Sequence, residues 1–156
     1  MKFLLDTDVI SMLSPVRNAV SAPILAWLEQ MDNEDRLFLS VVTIHEIEKG
    51  IAVLEGKGAS AKASELRKWL LTLVSTYADK ILGFDASAAT IAGQLEARAI
   101  MAGHNPGMAD AIIAGIAKAH NLVVITRNTR HFLTFGEHVV SPDDAAASHC
   151  GFGEKS

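Results

Sequence analysis

The chain is short of the residues that announce a disulfide scaffold, a nucleic-acid coat or a membrane anchor. Its 156 residues include one cysteine, Cys150, which has no partner for an internal bridge and so points to a reducing compartment, the cytoplasm. Aromatic residues make up only 6 %, too few for the stacked row that reads RNA bases. Positive charge is also scarce: 14 Lys and Arg stand against 18 Asp and Glu, a net charge of −4 with pI near 5.8. That balance excludes a protein that coats nucleic acid through bulk charge. A local basic groove remains compatible with it, and any nucleic acid is then substrate rather than scaffold. Long apolar runs are missing too. Leu122-Val123-Val124-Ile125 falls far below the ~20 residues that cross a bilayer, and the N-terminus enters a strand directly, without a basic and apolar leader. No membrane span is expected.

What is present is a 49 % hydrophobic chain of single-domain length. Residues 1–147 are expected to form the domain, and 148–156 have the composition of a tail. Phe3-Leu4-Leu5 is a continuous apolar run, the pattern of a central parallel strand covered on both faces. Ser11 to Asn18 reads as a short helix or link broken by Pro15. Ile24, Trp27, Leu28 and Met31 then mark a helix, and Leu37 to Val41 a second strand. Thr43-Ile44-His45-Glu46 fits a capping box opening the next helix. Leu66, Trp69, Leu70, Leu73, Val74 and Tyr77 define a long helix. Lys49, Lys57, Lys62, Arg67 and Lys68 are candidates for a cationic rim.

Asp85 is the expected cap of a helix from Ala86 to Ala102. Asn105 and Pro106 suit the cap and first position of another, Met108 to His120, whose Ala114, Gly115 and Ala117 permit close contact with the sheet. Leu122 to Ile125 is a third strand, and Val139-Val140 an added edge strand. Strands alternating with helices mean an α/β fold: a central, mostly parallel sheet flanked by helices on both faces.

Three acids share one kind of position. Asp6 follows the first strand, Glu46 lies in the helix after the second, and Asp110 comes early in the helix before the third. Ligands of open α/β sheets bind at the carboxyl edge, and right-handed crossovers bring these ends together. The alternative for Asp6 or Asp8 is a helix cap in a tight turn. At ~4 Å, with an effective dielectric near 20, two carboxylates repel by about 4 kcal/mol, so a converging set calls for a divalent cation. Oxygen ligands without a Cys or His set select Mg²⁺ or Mn²⁺ over zinc. His45, beside Glu46 on a helix, points elsewhere.

Leu4 to Ile10, Thr43 to Ile47 with Gly50, Ala109 to Ala114, and Thr126-Arg127-Asn128 with His131-Phe132 occur here in the order that resembles PIN-domain nucleases. They most resemble the VapC-type toxins of toxin-antitoxin pairs, including the FitB branch. The resemblance implies a PIN fold and a Mg²⁺-dependent endoribonuclease, with Asp6, Glu46 and Asp110 around the metal: Asp6 and Asp110 as direct ligands, Glu46 holding a metal-bound water or accepting its proton. Thr7, Thr126 and Asn128 would support the site, and Arg127 and Arg130 would contact phosphate. It also implies a homodimer and a small DNA-binding antitoxin that joins it in a larger complex. Many relatives carry a fourth acid near the position of Asn128, where this chain has an amide. Two other readings stay open. Asp6-Thr7-Asp8 also looks like the nucleophile motif of haloacid-dehalogenase phosphatases, and the acids could belong to a catalytically weak module that grips metal or RNA.

Overall fold

The structure is a computed structural model that describes residues 1–17 and 20–150. Asn18 of the expected link and residues 151–156 of the expected tail lie outside the described residues. Five strands form one sheet: β1 (Phe3–Leu5), β2 (Leu37–Ser40), β3 (Ile81–Leu82), β4 (Val123–Ile125) and β5 (Val139–Val140). Their spatial order is β3-β2-β1-β4-β5, and every pairing is parallel. The chain therefore leaves β1 toward β2 on one side and returns to β4 on the other. The carboxyl ends of β1 and β4 lie at the point where strand order reverses, the place where such sheets open a crevice.

Helices cover both faces. Side chains alternate along β1, so Phe3 and Leu5 join one apolar core and Leu4 the other. The first core is closed by α1 (Thr7–Met12), α2 (Ala22–Asn33), α3 (Val41–Gly56), α4 (Ser60–Thr76) and α8 (Pro142–Cys150). The second is closed by α5 (Ala86–Met101), α6 (Met108–Ala119) and α7 (Thr129–Leu133). Among the described residues no helix is long and apolar enough to cross a membrane.

Several expected boundaries move, each for a local reason. β2 stops at Ser40, which caps α3 by accepting a bond from the Thr43 amide through its hydroxyl. The helix thus opens before Thr43, so Thr43 and Glu46 are interior residues and form no capping box. Gly107, not Asn105, is the cap of α6. Gly115 packs against helix α5 rather than the sheet: a Cβ there would lie 2.6 Å from that of Ala92 and 2.8 Å from the Ala88 carbonyl oxygen. Helix α8 runs on to Cys150, so residues 148–150, expected in the tail, are helical. Strand β3, two residues long, is too short for any alternation to reveal it.

Candidate active site

Asp6 stands where β1 ends and α1 begins. Both of its oxygens are engaged. Oδ1 accepts from the Thr7 amide at 2.8 Å, which makes it the helix cap, and Oδ2 accepts from the Thr126 hydroxyl at 2.8 Å. The capping and active-site readings of Asp6 are therefore compatible. Thr126 follows β4, is fully buried, and accepts in turn from the Asn128 amide at 3.0 Å. The Asn128 backbone thus fixes a hydroxyl that fixes a carboxylate. Its side chain is exposed and makes no contribution of this kind.

A matching relay holds the second acid. The Thr7 hydroxyl donates to Glu46 Oε1 at 2.7 Å and lies 3.0 Å from the Thr43 hydroxyl. A hydroxyl has one proton, so Thr43 is the donor to Thr7. Thr43 is fully buried, a role in the site that its apparent fit to a capping box concealed. The third acid, Asp110, stands in the first turn of α6, where free amides favour negative charge. Its Oδ2 lies 3.3 Å from His131 Nδ1 of α7.

Asp8 completes the group. Its Oδ2 accepts from the Arg127 amide at 2.9 Å, tying the segment after β4 to α1. Its Oδ1 is buried without a hydrogen-bond partner among the described residues. A buried unsatisfied carboxylate oxygen is costly, and a cation would satisfy it. The sequence presents Asp8 beside Asp6, but as either acid or cap, and gives no sign of this orphaned oxygen.

The four acids share one field. Burial, then the charge of Asp8, and more weakly Asp110, raise the Asp6 carboxyl from 3.8 to about 7 against the lowering effect of its hydrogen bonds to Thr126 and Thr7. Burial also raises Asp110, with Glu46 and Asp8 adding to the effect and His131 opposing it. Yet among the described residues no three acidic, His or Cys side chains close around one point. Thr7 engages one oxygen of Glu46, and His131 stands beside Asp110. Mg²⁺ takes only one or two carboxylates and keeps several waters, so an all-oxygen set with one orphaned acceptor suits it. Asp8 with its orphaned oxygen, joined by Asp6 or Asp110, could hold such an ion.

The expected phosphate contacts divide. Arg130 lines a cavity of about 260 Å³ together with Asp110 and His131. Arg127 enters the site through its backbone, while its side chain borders a separate cavity of about 360 Å³. His45 is exposed and borders another cavity, outside the acidic group. Of the candidate rim, Lys62 shares a cavity with Glu46, whereas Arg67 is taken up by Glu48 and Glu55.

Known proteins arrange these elements in the same way. The PIN domain family model matches residues 3–136. The chain is 36 % identical over 143 residues to the plasmid stability protein StbB of Pseudomonas syringae pv. tomato, covering 91 % of this chain and 99 % of that one. It is 36 % identical over 140 residues to toxin FitB of Neisseria gonorrhoeae (89 % and 96 % covered), and 33 % over 144 residues to the VapC ribonuclease Y4jK of Sinorhizobium fredii (92 % and 99 %). The crystal structure of FitAcB from N. gonorrhoeae superposes with a TM-score of 0.77 at 35 % identity, covering 90 % of this chain and 97 % of that one. FitAB bound to an IR36 DNA fragment gives 0.71 at 35 %, covering 90 % and 94 %. The family match spans β1 through α7, every element that carries a residue of the acidic crevice, and on that basis this chain belongs to the PIN-domain family.

Proposed function

We propose that the chain is a Mg²⁺-dependent endoribonuclease, with Mn²⁺ as an alternative ion, acting as the toxin of a toxin-antitoxin pair. The observation that carries this reading is the acidic crevice at the strand-order reversal, where a buried Asp8 oxygen has no partner among the described residues and Asp6 is pushed up to about 7. A bound Mg²⁺ supplies positive charge beside a phosphodiester and lowers the pKa of water. The chain's own residues do the rest. Asp8, joined by Asp6 or Asp110, would hold the ion, and the Thr126 hydroxyl keeps Asp6 in one orientation. Glu46 Oε1 is engaged by Thr7, which leaves Oε2 as the oxygen to accept a proton from the attacking water. Arg130, beside Asp110, is placed to hold a phosphate oxygen.

The names of the relatives support the biological half of the proposal. One is a toxin and another a VapC ribonuclease, and FitAB has been solved bound to DNA. A small DNA-binding antitoxin is therefore the expected partner, and the cytoplasm the expected location. Ile100, Met101, Met108 and Leu133 are all exposed, which supports a homodimer. The dehalogenase-type phosphatase reading of Asp6 is set aside with PIN membership.

Purified chain incubated with labelled RNAs should cut them with Mg²⁺ or Mn²⁺ and not with EDTA, and Asp6→Asn and Asp110→Asn should abolish the cut. Expression alone should inhibit growth, with relief by a small protein encoded beside it. A folded chain that cleaves no RNA with either metal overturns the nuclease reading. A harmless monomer that binds no neighbouring product overturns the toxin reading.

A further inference from the structure

Thr7 and Glu46 face two ways. Besides the acidic crevice, they line a cavity of about 250 Å³ that extends between α1, α3 and α4. Ile51 on its inner side is buried, Leu66 and Trp69 are half-buried, and Arg17 and Lys62 on its outer side are exposed. Neither Arg17 nor Lys62 makes an ion pair with a described residue, in contrast to Arg67 on the same helix as Lys62.

We propose that this cavity is a base-recognition pocket: it takes the base of one nucleotide adjoining the scissile phosphate of single-stranded RNA, with that nucleotide's backbone held by Arg17 and Lys62. The proposal rests on the ribonuclease reading and adds to it the origin of sequence preference. Three observations favour it. The first is continuity, because Glu46 and Thr7 belong to both spaces and a strand crossing the carboxylates has its next residue at this opening.

The second is size and chemistry. At about 250 Å³ the space lies below the ~300–1,000 Å³ of pockets for drug-sized ligands, so it suits one base rather than two. It pairs apolar surface and an indole with the hydroxyls of Ser11 and Ser14, the mixture that grips a flat ring by its faces and reads its edge. The third is charge. An acidic crevice repels phosphate, and two cations with no ion pair among the described residues offset that repulsion where the backbone enters. The glycine at position 50 fits the same picture. Gly50 lies inside α3, where glycine weakens a helix, and nothing stands within 4 Å of the Cβ it lacks. No crowding requires a glycine there; its effect is to leave the cavity open.

The test uses the full chain with Mg²⁺ and one oligoribonucleotide that it cuts, prepared with a single abasic residue stepped across the cut. For the wild type, one flanking position should be sensitive, with kcat/KM reduced about tenfold or more, the scale of losing one stacked base. Gly50→Leu should fill the cavity. It should lower kcat/KM on intact RNA by a similar factor and show no further loss on the RNA abasic at that position, while Mg²⁺ affinity by calorimetry stays unchanged. Lys62→Ala, at an exposed site, gives an independent reading: KM should rise with kcat kept.

A wild type that cuts RNA with no abasic-sensitive position, or a folded Gly50→Leu that cuts intact RNA at the normal rate, overturns the pocket and leaves the nuclease standing. A Gly50→Leu chain that cuts normally yet escapes neutralisation by the partner protein shows that the cavity seats the partner, which also overturns it. If the wild type cuts no RNA, the pocket falls together with the ribonuclease reading.

Discussion

Neutralising Asp6 should stabilise the metal-free protein by an amount that grows as pH rises from about 4 and levels off above about 7. The folded-state pKa of Asp6 is raised from 3.8 to about 7 by burial and by Asp8. A carboxyl raised in this way contributes its full stability below its unfolded value of 3.8, and that stability is lost progressively as pH rises from there through about 7. Above pH 7 the charged form costs about 4 kcal/mol, taking 1.36 kcal/mol for each tenfold change in proton affinity. Asp6→Asn removes that cost but also alters two hydrogen bonds, from the Thr7 amide and the Thr126 hydroxyl. An asparagine presents one acceptor where the carboxylate presents two, a loss of about 1–3 kcal/mol. The net gain is about 1–3 kcal/mol, or about 2–12 °C in Tm for a domain of this length. Thermal melts of both proteins in EDTA at pH 8 and pH 4 measure it. The variant should melt higher at pH 8, and its advantage should shrink or reverse at pH 4. Adding Mg²⁺ at about a hundredfold its Kd should then restore the order, raising the wild type by about 2.7 kcal/mol and the variant by much less. A variant that melts lower at pH 8, or a difference independent of pH, would refute the reasoning.

Asp8→Asn keeps an acceptor for the Arg127 amide, so the fold should hold while Mg²⁺ affinity by calorimetry falls about tenfold, the lower end of what lost support costs a metal site. Thr126→Val removes the hydroxyl shared by Asp6 and the Asn128 amide; urea melts should show a loss of about 1–3 kcal/mol, and titration should place Asp6 still higher, because that hydrogen bond now lowers it. Gly115→Ala forces a methyl to within 2.6 Å of Ala92 Cβ and should cost about 1–3 kcal/mol, whereas Gly50→Ala, with open space around it, should raise stability by about 0.5–1 kcal/mol in the same melts. Asn128→Asp should leave metal affinity nearly unchanged, since that side chain is exposed and only its amide reaches Thr126; a marked tightening would place it at the ion.

The sheet and its acids could be read from the chain because each rests on local pattern. Phe3-Leu4-Leu5 and Val123-Val124-Ile125 are unbroken apolar runs, and an acid or hydroxyl that follows such a run falls at the sheet's carboxyl edge whatever the rest does. What was hidden depends on partners far apart in sequence. Thr43 fits a capping box, and only the placement of α1 beside α3 turns it toward Thr7. The orphaned oxygen of Asp8 exists because Arg127, 119 residues away, takes its neighbour. Periodicity marks Gly115 as buried but cannot tell a strand neighbour from a helix neighbour, so its contact with α5 is visible only in the structure. Lys62 and Arg67 are both cations of one amphipathic stretch in the sequence, and only the structure shows that Glu48 and Glu55 engage Arg67.

The pairing of β1 with β4 has a consequence for the order in which the protein comes into being. Asp6 is made 120 residues before Thr126, which orients it. A ribosome that has made everything through Asp110 carries all four acids on a chain whose central strand still lacks a neighbour on one side. The crevice closes only when β4 has emerged and docked, so on the nuclease reading proposed above cutting power arrives in one step rather than growing with the chain. Stops anywhere between Asp6 and Thr126 should therefore yield inert fragments, and on the toxin reading a selection for survivors of expression should recover such stops throughout that stretch.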